Sequence, residues 1–140
     1  MASTAYDSMN FDALTGAIDF DTDSFKVMLV TSGYTEDKAA HSKRSSVTNE
    51  ITGTGYTAGG QAIVPTITKD TTNHRTTIVF PQVTWPTSTL TARKAVYYKS
   101  RGGASSADEL IAVDDFGSDV TTTAGTFTLN ASTLHIGTPQ

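Results

Sequence analysis

The run Thr48-Asn-Glu-Ile-Thr-Gly-Thr-Gly-Tyr-Thr-Ala-Gly-Gly60 constrains this chain more than any other stretch. Four glycines, Gly53, Gly55, Gly59 and Gly60, permit tight corners, and the threonines and Tyr56 between them favour extended backbone. A segment so committed to shaping turns predicts a rigid β framework rather than a helical bundle or a disordered tail. The run also contains Gly53-Thr-Gly-Tyr-Thr-Ala58, which has the spacing of a dinucleotide fingerprint. That chemistry needs a helix opening behind the glycines to hold the pyrophosphate, and the residues that follow, Ile63-Val-Pro-Thr-Ile-Thr68, read as a strand.

Short strand-like segments recur along the rest of the sequence. Phe25-Lys-Val-Met-Leu-Val-Thr31 is apolar with little alternation, as in a strand covered on both faces. Arg75 to Phe80 and Gln82 to Trp85 read as strands broken at Pro81, and Pro65 marks an edge or bulge. Leu90 to Lys99 reads as the longest strand, with Leu90, Ala92, Val96 and Tyr98 on one face. Leu110 to Phe116, Thr126 to Leu129 and Thr133 to Ile136 complete the set, after an exposed loop over Arg101 to Ser106.

Before the strands, Phe11, Leu14 and Ile18 have helical spacing, so one short helix is expected near residues 9–18. The fold expected is all-β: a jelly-roll or Greek-key β-sandwich of about 8–9 short strands with a short N-terminal helix. Residues 1–8, small and polar, are expected to be a mobile arm, and residues 9–140 a single domain.

Charge and composition exclude several functions. A net charge of −4 with scattered bases argues against nucleic acid, whose binding needs clustered Lys and Arg. The longest apolar run, Val27 to Val30, is far too short for a membrane span, and no signal peptide is expected. With no cysteine there are neither disulfides nor thiolate metal sites, which suits assembly in a reducing bacterial cytoplasm.

No motif for chemistry survives inspection. Asp19, Asp21 and Asp23 begin like a calcium loop, but Ser24 and Val30 stand where that loop requires Gly and Glu. On a strand the three acids would share a solvent face with Phe20 turned inward. Asp114 and Asp115, being adjacent, would point to opposite faces and could not act together on one sugar. His41, His74 and His135 follow no ligand spacing, and no Gly-x-Ser-x-Gly elbow exists. The expectation is therefore no catalytic, cofactor or metal site. Tyr97 and Tyr98 are adjacent, so one is expected to face outward. Tyr98, flanked by Lys94, Lys99 and Arg101, is a candidate interface residue with them, and the single tryptophan, Trp85, reads first as a core or corner packing residue and second as an interface anchor.

The glycine-threonine run resembles a segment found in small structural proteins of tailed bacteriophages. Ala17-Ile-Asp-Phe-Asp-Thr-Asp-Ser-Phe-Lys-Val-Met-Leu-Val30, Leu90-Thr-Ala-Arg-Lys-Ala-Val-Tyr-Tyr-Lys99 and Leu110-Ile-Ala-Val-Asp-Asp-Phe-Gly117 are similar to the segments around it there, in the same order. In length and pattern the chain most resembles the capsid cement (decoration) proteins of short-tailed phages of the kind that infect Bordetella. The resemblance implies a jelly roll on the outer surface of the virion head, clamping neighbouring major capsid subunits without covalent chemistry. It implies two partners, the major capsid protein and a second copy of the chain, with a homodimer favoured over a trimer. The alternative is a tail or receptor-binding module that recognises sugar.

Overall fold

A computed structural model describes residues 3–137, and the fold in it is all-β with one helix. In chain order the elements are β1 (Thr4–Ala5), α1 (Asp7–Leu14), β2 (Phe25–Val30), β3 (Gln61–Ile63), β4 (Thr66–Asp70), β5 (Arg75–Phe80), β6 (Val83–Ser88), β7 (Thr91–Lys99), β8 (Leu110–Thr121), β9 (Gly125–Leu129) and β10 (Ser132–Gly137). Three antiparallel sheets result, ordered β1-β8-β7-β2-β3, β10-β5-β4 and β6-β9.

One long ribbon organises them. β7 pairs with β8, β6 with β9 and β5 with β10, each pair nested outside the last. This is the path of a hairpin bent over on itself, the construction of a jelly roll. The bend between the first two pairs keeps its ladder, because Leu90 and Thr122 exchange both backbone hydrogen bonds, at 3.2 and 2.8 Å. Ten strands stand among the described residues, against the eight or nine expected, since the segment from Ile63 to Thr68 splits in two at Val64-Pro65 and Thr4–Ala5 adds β1.

The main core lies between the five-stranded sheet and the two smaller ones. It joins Phe25, Val27 and Leu29 of β2 to Ile78, Phe80, Trp85, Phe127 and Leu129 across the sandwich. Phe80 stacks on Tyr97 with centroids 4.0 Å apart, a contact worth about 0.5–1.5 kcal/mol beyond its area. The other face of the five-stranded sheet is buried too. Met28, Val30, Val96, Tyr98, Leu110 and Val113 pack there beneath Tyr6, Tyr34 and Val47. Coverage on both faces is why β2 is apolar without a break from Val27 to Val30.

Several local expectations need correction. The helix expected near residues 9–18 runs from Asp7 to Leu14, with Ile18 entering the core from beyond its end, and β8 rather than β7 is the longest strand. Thr4 and Ala5, expected within a mobile arm, pair with Val113 and Ala112, and Tyr6 is fully buried with its hydroxyl 2.7 Å from that of Tyr34. The sheet edge at β8 offers unpaired backbone, and the arm satisfies it. Asp19 to Asp23 form a turn rather than a strand: the Asp19 N–H donates to Asp23 Oδ2 at 2.7 Å and the Asp21 N–H to Asp19 Oδ1 at 2.9 Å. Finally, the faces of β7 switch. Leu90 and Ala92 share the main core with Ala95 and Tyr97, whereas Val96 and Tyr98 belong to the second layer. The register shifts between Ala92 and Lys94, where Ala92 pairs with Val120 but Lys94 with Asp115, so β8 carries extra residues opposite Arg93. A bulge of this kind re-aims every side chain beyond it.

Candidate interaction surface

Helix α1 supplies the most exposed large apolar side chains of one element. It starts after Tyr6 without a side-chain cap and stops at Gly16, whose φ of +88° suits a residue just past a helix end. Thr15 secures the last turn, its N–H and its hydroxyl both donating to the Phe11 carbonyl, at 3.0 and 2.8 Å. Met9 is buried in the main core. At roughly 100° per residue, Phe11 lies about 200° from Met9 and only about 60° from Leu14. Phe11 and Leu14 therefore share the outward face, 68% and 89% exposed.

Beside them runs a network of ion pairs. Asp12 feels both Lys43 and Glu109, and burial raises its carboxyl above the ordinary value. Glu109 is almost wholly buried, yet its carboxyl is held below the usual range. Burial would raise it, and the Arg101 hydrogen bonds with the Lys43 and Arg101 charges outweigh that. Arg101 grips it in a fork, Nε to Oε1 at 2.8 Å and Nη2 to Oε2 at 2.9 Å, while Lys43 Nζ reaches Oε2 at 3.4 Å. The Arg101 N–H donates to Asp108 Oδ1 at 2.9 Å, and Arg44 Nε donates to Oδ2 of the same buried carboxylate at 2.7 Å. Lys99 Nζ joins Asp23 at 2.7 Å and the Ala17 carbonyl at 2.7 Å, just beyond the helix.

Of the five residues singled out from sequence, three sit in this region, and only Arg101 has an exposed side chain, at 43%. Tyr98 is buried, its hydroxyl donating to the Gly59 carbonyl at 2.5 Å. Burial pushes that hydroxyl up to about 12, against the opposing effect of Arg44. Lys99 is buried by its contacts with Asp23 and Ala17. Lys94 and Trp85 lie elsewhere and are also buried: Lys94 Nζ bonds Glu36 at 2.5 Å and the Tyr34 carbonyl at 3.1 Å, and Trp85 meets Phe127 edge-on at 5.8 Å. The expectation that Tyr98 faces solvent is thus corrected. The irregular segment after β2 covers the sheet face on which it stands. Phe11 and Leu14 went unrecognised because their spacing fits an inward helix face as well as an outward one, and Met9 with Ala13 offers the alternative.

Several other polar groups hold the fold together. Asp114 is buried and accepts from Tyr97 Oη at 3.1 Å and Ser132 Oγ at 3.0 Å, whereas Asp115 points out and accepts from Arg93 Nε at 2.8 Å. Glu50 Oε2 accepts from Tyr56 Oη at 2.6 Å and the Gly59 N–H at 2.7 Å, pinning the glycine run. No helix follows Ala58; β3 begins at Gln61. Among the described residues no group of three or more His, Cys, Asp or Glu side chains could hold a metal ion, and no helix is long and apolar enough to cross a membrane. No known protein family, curated protein or solved structure matches this chain.

Proposed function

We propose that this chain is a structural virion protein that binds the outer surface of a phage head and clamps neighbouring major capsid subunits. The observation that carries the reading is the exposure of Phe11 and Leu14 on one helix face, beside an ion-pair network anchored on buried carboxylates. An apolar centre with a charged rim is the anatomy of a protein interface. Burying each of the two side chains contributes about 1.5–3 kcal/mol, too little for firm binding by one copy. Many copies on a lattice convert weak contacts into avidity, and a two-fold dimer would let one unit span two subunits. The sequence resemblance supports the same assignment.

The test is addition of purified protein to empty shells that lack it. Stoichiometric decoration, with shells that then resist heat, is the expected result. Phe11→Asp with Leu14→Asp abolishes it, and Val64→Asp, at another exposed apolar position, does not. Binding of only a few copies per particle, or decoration indifferent to the helix substitutions, would remove the reading.

A further inference from the structure

A cleft of about 260 Å³ opens between two glycine turns, with Ala58 and Gly59 on one lip and Gly102 and Gly103 on the other. Its floor is the buried Tyr98. Lys26 stands directly across the β2–β7 ladder from Tyr98 and has no hydrogen-bond or ion-pair partner among the described residues. Arg44 is held in place from two directions. Its guanidinium lies over the Tyr98 ring, 5.0 Å from the centroid, and its Nε is fixed by Asp108. The Arg44 side chain is 22% exposed, and its terminal nitrogens have no partner among the described residues.

We infer that this cleft receives a carboxylate side chain from an acidic peptide segment of the docking partner. A guanidinium immobilised by stacking and by a buried carboxylate presents its free N–H donors with little ordering left to lose. Lys26 adds a second cation on the same sheet face. Glycine lips at Gly102 and Gly103, where a Cβ would meet nothing within 4 Å, leave room for a partner backbone to approach. Glu50 also lines the cleft, but its Oε2 already receives two donors, so the unsatisfied donors belong to the two cations. Lys43, Arg44, Lys99 and Arg101 each face an acid already (Glu109, Asp108, Asp23 and Glu109 in turn), which leaves Lys26 and the outer nitrogens of Arg44 as the donors open to a partner. Acidic-motif recognition by Arg and Lys is a common docking mode.

The inference rests on the docking reading for where the partner comes from, and its test uses no shells. Isotope-labelled full-length protein is titrated with an end-capped Glu-Glu-Asp-Glu peptide and with its Gln-Gln-Asn-Gln counterpart. The acidic peptide is expected to shift the Gly59, Gly102 and Gly103 amides and Arg44 Nε saturably, and the neutral one is not. Lys26→Gln weakens binding about tenfold, as loss of one hydrogen bond to a charged group. Lys69→Gln, on β4, has no effect. Equal response to both peptides, equal loss from the two lysine variants, or tighter competition by a single-stranded oligonucleotide would overturn it. Arg44→Lys supplies a second check, because charge without the planar fork weakens binding while melting temperature reports any loss through Asp108. Shell binding that fails while the peptide shifts persist counts against the docking reading alone.

Discussion

Arg101 and Glu109 meet through two parallel hydrogen bonds, at 2.8 and 2.9 Å, with the arginine side chain 43% exposed and the carboxylate 2% exposed. The pair straddles the boundary between solvent and interior, so titrating the buried partner should be visible in stability. Asp23 and Glu109 would both be raised by burial. The Asp19 N–H and Lys99 outweigh this at Asp23, as Arg101 and Lys43 do at Glu109, and both fall below their ordinary values. Asp115 is lowered by Arg93 and the Gly117 N–H, and Asp70 by Asn73 and Arg75. A folded-state value below the unfolded one, about 3.9 for Asp and 4.3 for Glu, adds stability above that range, and it is lost as pH falls through the folded value. The melting temperature is expected to stay level down to about pH 5 and drop steadily below about pH 4. Arg101→Gln lowers it at neutral pH, and the gap to wild type narrows in acid. A gap independent of pH would contradict the assignment.

Met9 and Phe11 stand two residues apart on α1 and should respond in opposite ways to truncation. Met9→Ala, in the main core, is expected to cost about 2–5 kcal/mol in denaturant unfolding. Phe11→Ala, at an exposed site, stays within about 0.5 kcal/mol.

Gly60 has a φ of +79°, and a Cβ there would lie 1.7 Å from the Val27 carbonyl oxygen. Gly60→Ala should cost about 4 kcal/mol or more, because backbone rather than a movable side chain blocks it. Gly102→Ala carries a comparable φ in open space and should lose only about 1 kcal/mol. The two melting curves, run together, separate steric conflict from torsional cost.

Glu50→Ala removes the acceptor shared by Tyr56 Oη and the Gly59 N–H. The expected loss is about 1–3 kcal/mol, with faster hydrogen exchange at the Gly59 amide. Unchanged exchange would mean that Tyr98, through its bond to the Gly59 carbonyl, holds the turn alone.

Thr87 is a β-branched residue at a φ of +50°, directly after Pro86 and inside the register shift of β6. Thr87→Gly is expected to raise stability by up to about 1 kcal/mol, since relief of left-handed strain exceeds the entropy that glycine adds to the unfolded chain. A lower melting temperature would show that the Thr87 side chain makes up for its own strain.

Most of the strands were legible because they are short apolar or alternating segments bounded by turn residues, and that grammar is local; β1, two residues paired on the edge of β8, and the extension of β8 past Phe116 to Thr121 were not. β2, β5 and β9 stand where such reading puts them. The face of Tyr98 was not legible, because it depends on extra residues in β8, the partner strand, and a bulge there leaves no mark on β7 itself. Nor was the burial of Lys94 and Lys99. Each is covered by a segment distant in sequence, residues 34–36 for Lys94 and 17–23 for Lys99, whose irregular backbone has no periodicity to read. The charged half of the candidate surface was seen in part, through Arg101, while its apolar half was hidden by a helix that could have turned either way.

The nested ribbon also sets the order in which the molecule can assemble. Of the three nested pairs, β7 and β8 are joined by the shortest connection, residues 100–109; β6 with β9 and β5 with β10 close successively longer loops, so each outer pair costs less entropy once the pair inside it exists. The molecule closes like a zip fastener from its middle outward. Folding of such a non-local topology is slow, and β10, which closes the outermost pair on β5, is the latch on the ribbon.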